Sequence, residues 1–460
     1  MSLPTTDDRV GRVLAQEGVA DGEGAGRAGV NILALRYGLE DKPGLVPSLL
    51  FGLQHVLVMF TAMIASPLVI GQLLNLSAEL RTTMITGVMV GCGIGTIISA
   101  LGVFWIGARL PLLLGAYAVY IGPVVAMAKT TGLASATTAM VIGGIVLFVL
   151  SPLLGKLRPL FPPVVVGTLL VVTSVTLIRI AVSVAAGVNT PYAGNPLTMI
   201  LVVGSIALIL AINRLTRGFL RALSVFIALV CLYLIAIPLG LTNFQLVADA
   251  PWFRLPSFAP YGGFAWPDAG GLTTVIVYHL IAATYTMSIT LALCNMLKIE
   301  GSERRVRGAV AADGIGSAIA ALFGGVPLIS YDQNVGAISL TGVGSRFVVA
   351  VAGALLLVMA LLPKFGALIA VVPPFVLGGT LIFMFGMIGA VGIGILADSL
   401  KSQRDLLLFA ASVGLSTAVN FAPPVFFEIV PQAIRILASD GIVVGTIVAV
   451  ALNLALPDKD

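Results

Sequence analysis

Apolar runs of about twenty residues, broken by short polar loops, recur from residue 46 to residue 457. At about 1.5 Å of rise per residue, each run forms a helix long enough to cross roughly 30 Å of hydrocarbon. Charged residues make up only 10% of the chain, against roughly 25% in an ordinary soluble domain. The pattern therefore predicts an all-α polytopic membrane protein embedded in the lipid bilayer. The net charge of +5 is small for 460 residues and scattered among loops, which excludes a nucleic-acid partner as a reading. Cys92, Cys231 and Cys294 all lie in apolar runs, and no pair stands at metal-ligand spacing. No phosphate loop, zinc site or catalytic triad is legible, so the chain reads as neither an enzyme nor a metalloprotein, and no cofactor is expected.

Fourteen segments are expected, at 46–69, 84–106, 110–128, 138–155, 161–182, 198–213, 219–241, 272–297, 307–324, 330–345, 347–363, 371–396, 405–421 and 433–457. Residues 1–44 are polar, Gly-rich and of mixed charge, and read as a flexible tail with a short interfacial helix near "VNILALRYGL". With that tail cytoplasmic, thirteen basic residues fall in cytoplasmic loops and six on the other side. This satisfies the positive-inside rule and puts both termini inside, in the plasma (inner) membrane. The long loop 242–271, rich in Pro, Gly and aromatics, then lies outside.

Segments three and ten are irregular. Each begins with a Pro-containing extended stretch, "RLPLLLGAYAVYIGP" and "GGVPLISYDQNVGAIS", and carries Gly and polar residues in its middle. Non-helical backbone at membrane depth is tolerated only where it is buried in protein or lines a cavity. Both broken segments are third in their half of the chain, and seven segments per half orient the halves oppositely. This predicts two inverted seven-segment repeats with a binding site near the midplane, between half-helices starting near residues 117 and 334.

The polar residues on these segments are the site candidates. Gln333 and Asn334 each offer a donor and an acceptor for an amide-like edge. Tyr117, Tyr120 and Tyr331 offer an aromatic face or a hydroxyl. Asp313 and Asp332 are carboxylates at membrane depth, where an ionised Asp costs about 2.5–3.5 kcal/mol, so each either is protonated or pairs. His55, beside Gln54, is placed to orient site residues; His279 reads equally well as a packing residue. A lone Asn or Gln can equally be glue between helices, worth about 0.6 kcal/mol. It is the clustering on one broken segment that favours a site.

"QNVGAISLTG" resembles the signature of the nucleobase–ascorbate transporters, the family of uracil and xanthine permeases. Gln333, Asn334, Gly336, Thr341 and Gly342 fill its constrained positions. "YGLEDKPGLVPSLLFGLQHVLVMF", "FPPVVVGTLLVVTSVTLI", "AADGIGSAIAALFGGVP" and "GIVVGTIVAVALNLALP" are similar to other family segments, so the likeness runs from about residue 37 to 457.

The resemblance implies a core domain (45–158 and 272–365) that carries substrate and a gate domain (159–241 and 366–460) that usually dimerises. It also implies elevator-type, proton-coupled transport of a nucleobase, the proton being the coupling ion. Gln333 is then expected to bond the base, with Asn334, Gln54, Gly336 and Thr341 in support. Tyr331 and the backbone near Tyr117–Tyr120 would line the pocket, and Asp313 would serve coupling. Gln at the first motif position tilts the expectation towards xanthine or urate over uracil.

The chain departs from the family at the eighth segment. There a family Glu that grips the base aligns with Thr284, followed by Ser288. A hydroxyl cannot replace the charge-assisted acceptors of a carboxylate. Asp332, where the family usually has a small residue, is the candidate replacement; together with Asp313 and His55 it completes the proton-coupling candidates. The alternatives are an uncoupled carrier, or one for another small heterocycle or anion. A channel is less favoured.

Overall fold

The computed structural model describes residues 35–456, and within them every apolar segment expected from the sequence contains helix. The first half holds α1 (Leu45–Leu73), α2 (Ala78–Leu101), α3 (Ile121–Thr130), α4 (Leu133–Leu150), α5 (Pro163–Ala185), α6 (Pro196–Leu215), α7 (Gly218–Ala222), α8 (Ser224–Ala236) and α9 (Gln245–Asp249). The second half holds α10 (Ala269–Met296), α11 (Glu303–Leu322), α12 (Asp332–Thr341), α13 (Arg346–Ala360), α14 (Pro363–Ala370), α15 (Pro374–Ser399), α16 (Gln403–Phe421), α17 (Gln432–Ala438) and α18 (Gly441–Ala455).

Seven of these, α1, α2, α4, α5, α6, α10 and α15, are each long and apolar enough to cross a bilayer. The pair α13–α14 passes the same test but is bent by 85°. The bend falls at Pro363, whose ring excludes the preceding turn of helix. The chain is thus an integral membrane protein with several apolar spans. The segment expected at 433–457 is divided into α17 and α18 by Ser439 and Asp440. The Asp440 side chain accepts from the amides of Ile442 and Val443 and so starts α18.

Helices α1, α2, α4, α10, α11 and α13 pack around one another, while α5, α6, α15, α16 and α18 form a second group. Close approach between neighbouring helices depends on small residues, as is usual where no water drives helices together. At Gly91 an added Cβ would lie 2.4 Å from that of Ala320, so α2 and α11 meet backbone to backbone.

The two broken segments meet in the middle of the first group. Leu114–Ala116 (β1) pairs antiparallel with Leu328–Ser330 (β2), Gly115 lying opposite Ile329. Side chains satisfy backbone that a two-stranded pair leaves open. The Thr96 hydroxyl accepts from the Leu114 amide at 3.0 Å, and that of Ser317 accepts from Leu328 at 2.9 Å. Because the strands are antiparallel, the helical stretches after them leave in opposite directions with their N-termini near one another. A 3-10 turn at Ala118–Tyr120 leads into α3, and β2 leads through Tyr331 into α12.

The expected flexible tail needs correction at its end. Residues 35–44 contain no helix, and Leu35–Asp41 are strapped across the end of α12. Arg36 donates its amide to the Gly342 carbonyl at 2.8 Å, and Gly344 donates to Tyr37 at 2.8 Å. The remainder of that tail and of the expected interfacial helix lies outside the described residues.

Candidate functional site

The segment around α12 explains the spacing of the signature physically. Asp332 opens the helix, and its carboxylate accepts from the Gln333 amide at 2.9 Å. Asn334 turns inward, is almost fully buried, and donates its amide to the Pro111 carbonyl, tying α12 to the extended stretch ahead of β1. A Cβ added at Gly336 would meet open space, so the helix has a bare face there. Thr341 donates its hydroxyl back to Ala337 at 2.8 Å. Gly342 ends the helix in the left-handed region at φ 68°, which a residue without Cβ adopts at little cost.

Gln333 is the motif residue left without a side-chain tie among the described residues. It is exposed into a cavity of about 470 Å³, which Asp332 and Gly336 also line. That volume lies within the roughly 300–1,000 Å³ of small-molecule sites. Val58 and Thr61 of α1 form one wall, Phe383, Met384 and Met387 of α15 the other. Asn213 of α6 and Arg221 of α7 stand on its rim.

A second, narrow gap of about 10 Å³ lies between Tyr117, Thr284, Tyr285, Ile281 and the α5 residues Val166, Leu169, Leu170 and Thr173. The Tyr117 and Tyr285 rings are near-parallel, with centroids 6.3 Å apart and an interplanar angle of 9°. The Tyr285 hydroxyl interacts with the Asp332 carboxylate, so one side chain joins the narrow gap to the cavity. Sequence reasoning missed Tyr285. Its position beside Thr284 was the available signal.

The other expected residues fall in different places. The Tyr120 side chain is fully buried against Tyr278 and His279 and lines neither space. Tyr331 is also buried: its ring covers Gly115, where an added Cβ would sit 2.4 Å away, and its hydroxyl donates to Ala116. It therefore fastens the strand pair rather than lining either space. Ser288 donates to the Thr284 carbonyl of its own helix at 3.0 Å, and Thr284 donates to Ile281 at 2.7 Å.

Asp313 sits at the junction of three elements. It accepts from the Thr286 hydroxyl of α10 and from the amide (3.1 Å) and hydroxyl (2.9 Å) of Ser330 at the end of β2. His55 is buried against Asn334, with Gln54 beside it, and neither ring nitrogen closes a hydrogen bond among the described residues. His279 lies next to Val275, its Nδ1 2.9 Å from that carbonyl. No cluster of metal-ligating side chains exists among the described residues.

A family model of permeases, of the xanthine/uracil type, matches residues 47–425. A Clostridium perfringens protein is 36% identical over 428 residues, covering 92% of this chain and 94% of its own. The uric acid permease PucJ of Bacillus subtilis is 33% identical, covering 89% of this chain and 92% of its own. The xanthine permease of the same organism is 29% identical, with 89% and 94% covered.

Among solved structures, the transmembrane domain of the cyanobacterial bicarbonate transporter BicA superposes with a TM-score of 0.56 at 18% identity, covering 83% of this chain and 97% of that one. Murine Slc26a9, an anion transporter in its inward-facing state, gives 0.62 at 11%, covering 97% and 74%. These two share the fold alone, and its seven-plus-seven inverted-repeat form. Matched along most of its length by the permease model and by relatives above 30% identity, the chain belongs to the xanthine/uracil permease family and is a transporter rather than an enzyme.

Proposed function

We propose that the protein carries a purine base, xanthine or urate in preference to uracil, across the membrane by an elevator movement coupled to protons. One observation carries the reading: Gln333 stands free in a cavity of about 470 Å³, at the start of a half-helix whose other polar residues are tied down. An amide there can donate to a ring carbonyl and accept from a ring N–H, matching a purine edge at two points. The amides in the first turn of α12 add a partial positive charge facing electron-rich oxygens. The relatives named as uric acid and xanthine permeases support the purine class.

In this proposal the helices of 45–158 and 272–365 move as the core, against a gate built from 159–241 and 366–460. The cavity lies between them: Asp332 and Gln333 belong to the core, Phe383, Met384 and Arg221 to the gate. Loop charge puts Arg214, Arg217 and Arg221 on the cytoplasmic side, so the conformation is read as inward-facing, with 1–44 cytoplasmic and 242–271 extracellular. Fourteen segments cross in this reading, and two copies associate through the gate.

Asp332 is the group we assign to proton coupling. It faces the cavity beside Gln333, has no cation partner among the described residues, and touches Tyr285 at the narrow gap. Asp313 has three donors and no opening to the cavity, which suits a fixed junction. Thr284 supplies no carboxylate, so Asp332 takes that part. The test is purine uptake in cells against external pH. Asp332→Asn is expected to abolish the pH dependence while Asp313→Asn loses folded protein. Unchanged pH dependence in Asp332→Asn would leave the carrier reading standing and remove the coupling assignment. An uncoupled carrier is the second reading, favoured by Thr284.

A further inference from the structure

A second cavity, of about 440 Å³, lies on the face of the molecule that bears the 242–271 loop. It shares no lining residue with the first. One wall is the turn between α1 and α2, with Gln72, Asn75 and Arg81; the other carries Asn189, Tyr192 and Phe375. Its lining contains one cation and no acid.

Arg81 is the unexplained group. Among the described residues it has no ion pair and no side-chain hydrogen bond, and its Nε is buried without a partner. The nearest acid on its helix, Glu79, lines a different cavity together with Asp249. The side chain has been given room nonetheless. A Cβ added to Gly71 would fall 2.4 Å from Cγ of Arg81 and 2.7 Å from its Cδ, so the arginine stem lies in the groove that Gly71 leaves. A half-buried guanidinium without an acceptor is costly, and an anion entering the cavity would remove that cost.

The rest of the lining specifies the anion's shape. The side-chain amides of Asn75 and Asn189 bond to no described residue, and both residues hold the left-handed turn conformation, at φ 50° and 65°. Gln72 is fixed across the cleft by donating to the Val188 carbonyl at 2.5 Å. Tyr192 and Phe375 meet edge to face at 5.6 Å and offer flat apolar surface. A guanidinium fork, free amides and aromatic faces together suit a planar organic anion bearing ring carbonyls.

We propose that this cavity is a second binding site, for a planar organic anion held by Arg81. Taking the purine reading of the deep cavity as given, the ligand is the purine monoanion, urate above all, held on the face opposite the rim of the deep site. The walls belong to the two helix groups that the transport proposal sets in relative motion, so the site empties or reshapes as they move.

The experiment is equilibrium binding of radiolabelled urate to the purified full-length chain at neutral pH, with radiolabelled benzoate as a planar carboxylate lacking the purine edge. Wild type is expected to show two urate affinities, and Gln333→Ala only the weaker. Adding Arg81→Gln to Gln333→Ala should weaken that remaining affinity about tenfold, the loss expected for one charge-assisted contact. Arg81→Lys should fall between. Gly71→Ala, which displaces the arginine stem without removing charge, should reproduce part of the loss. Arg81→Gln alone should keep the tighter affinity, which shows that it folds.

Weaker binding that ignores Arg81, or none in Gln333→Ala when wild type binds urate, overturns the second site and leaves the purine reading intact. Should wild type bind no urate, the purine reading fails instead. Benzoate binding that depends on Arg81 would then still support an anion site, and its absence would overturn it.

Discussion

The Asn334 side-chain amide donates to Pro111, a residue 223 positions away, while the Gln333 side chain next to it bonds nothing among the described residues. Two adjacent amides thus divide the work: one fixes the half-helix and the other is left for a ligand. Removing the Asn334 side chain leaves a buried carbonyl without its donor, a cost of about 1–3 kcal/mol. Asn334→Ala is therefore expected to lower thermal stability in detergent and to impair uptake at every pH, whereas Gln333→Ala is expected to leave the melting temperature unchanged. Gly336 offers a finer test, since an added Cβ there enters open space. Gly336→Ala is expected to fold normally and to reduce binding of purines more than of the smaller uracil, measured by competition.

Glu40 gives a pH effect outside the membrane that geometry supports. Hydrogen bonds from Arg346, at 2.7–3.0 Å, hold its carboxyl below the ordinary value, and the arginine charge adds to this. The contribution to stability is present above the carboxyl's unfolded pKa and is lost as pH falls through the lowered native one. Glu40 is mostly exposed, so the pair is worth less than about 1 kcal/mol. Thermal melts of Glu40→Gln should differ slightly from wild type near neutrality and converge with it in acid.

At the scale of elements, the broken segments were legible because Pro, Gly and polar residues interrupt otherwise apolar runs at 110–128 and 330–345. Their pairing as β1 and β2 was not, since three residues in each strand carry no readable period. Nor could sequence distinguish Tyr117 from Tyr120. The short 3-10 turn between them points one ring at Tyr285 and the other into the packed interior against Tyr278.

A contact between distant elements also escaped sequence reasoning. The Tyr278 hydroxyl of α10 donates to the Asp440 carboxylate at 2.6 Å, at the start of α18. Asp440 also caps α18, which explains an acid at that point in an apolar stretch. If α10 and α18 slide past one another during transport, this bond must break. Tyr278→Phe is then expected to favour the alternative conformation, read as a several-fold rise in labelling of single cysteines placed on the 242–271 face. Labelling that matches wild type would show that the bond does not report on the movement.

For the whole molecule, hydropathy alone carried most of the architecture, because spanning helices are set by bilayer thickness rather than by tertiary detail. The site was legible in part. The signature located α12, on which Gln333 lines a cavity. The opposite wall, with Phe383, Met384 and Met387, could not be read because α15 carries no polar marker at the contact. The cavity around Arg81 was equally hidden, since an arginine at a loop edge looks in sequence like any basic loop residue.

The role of Gln333 in purine recognition is tested by equilibrium binding of radiolabelled xanthine to purified wild type and to Gln333→Ala, with urate, uracil, adenine and ascorbate as competitors. Saturable xanthine binding is expected, displaced by urate better than by uracil, and weakened about tenfold or more in Gln333→Ala by loss of a two-point contact. Equal xanthine binding by the two proteins, or no binding of any base to wild type, would contradict that role.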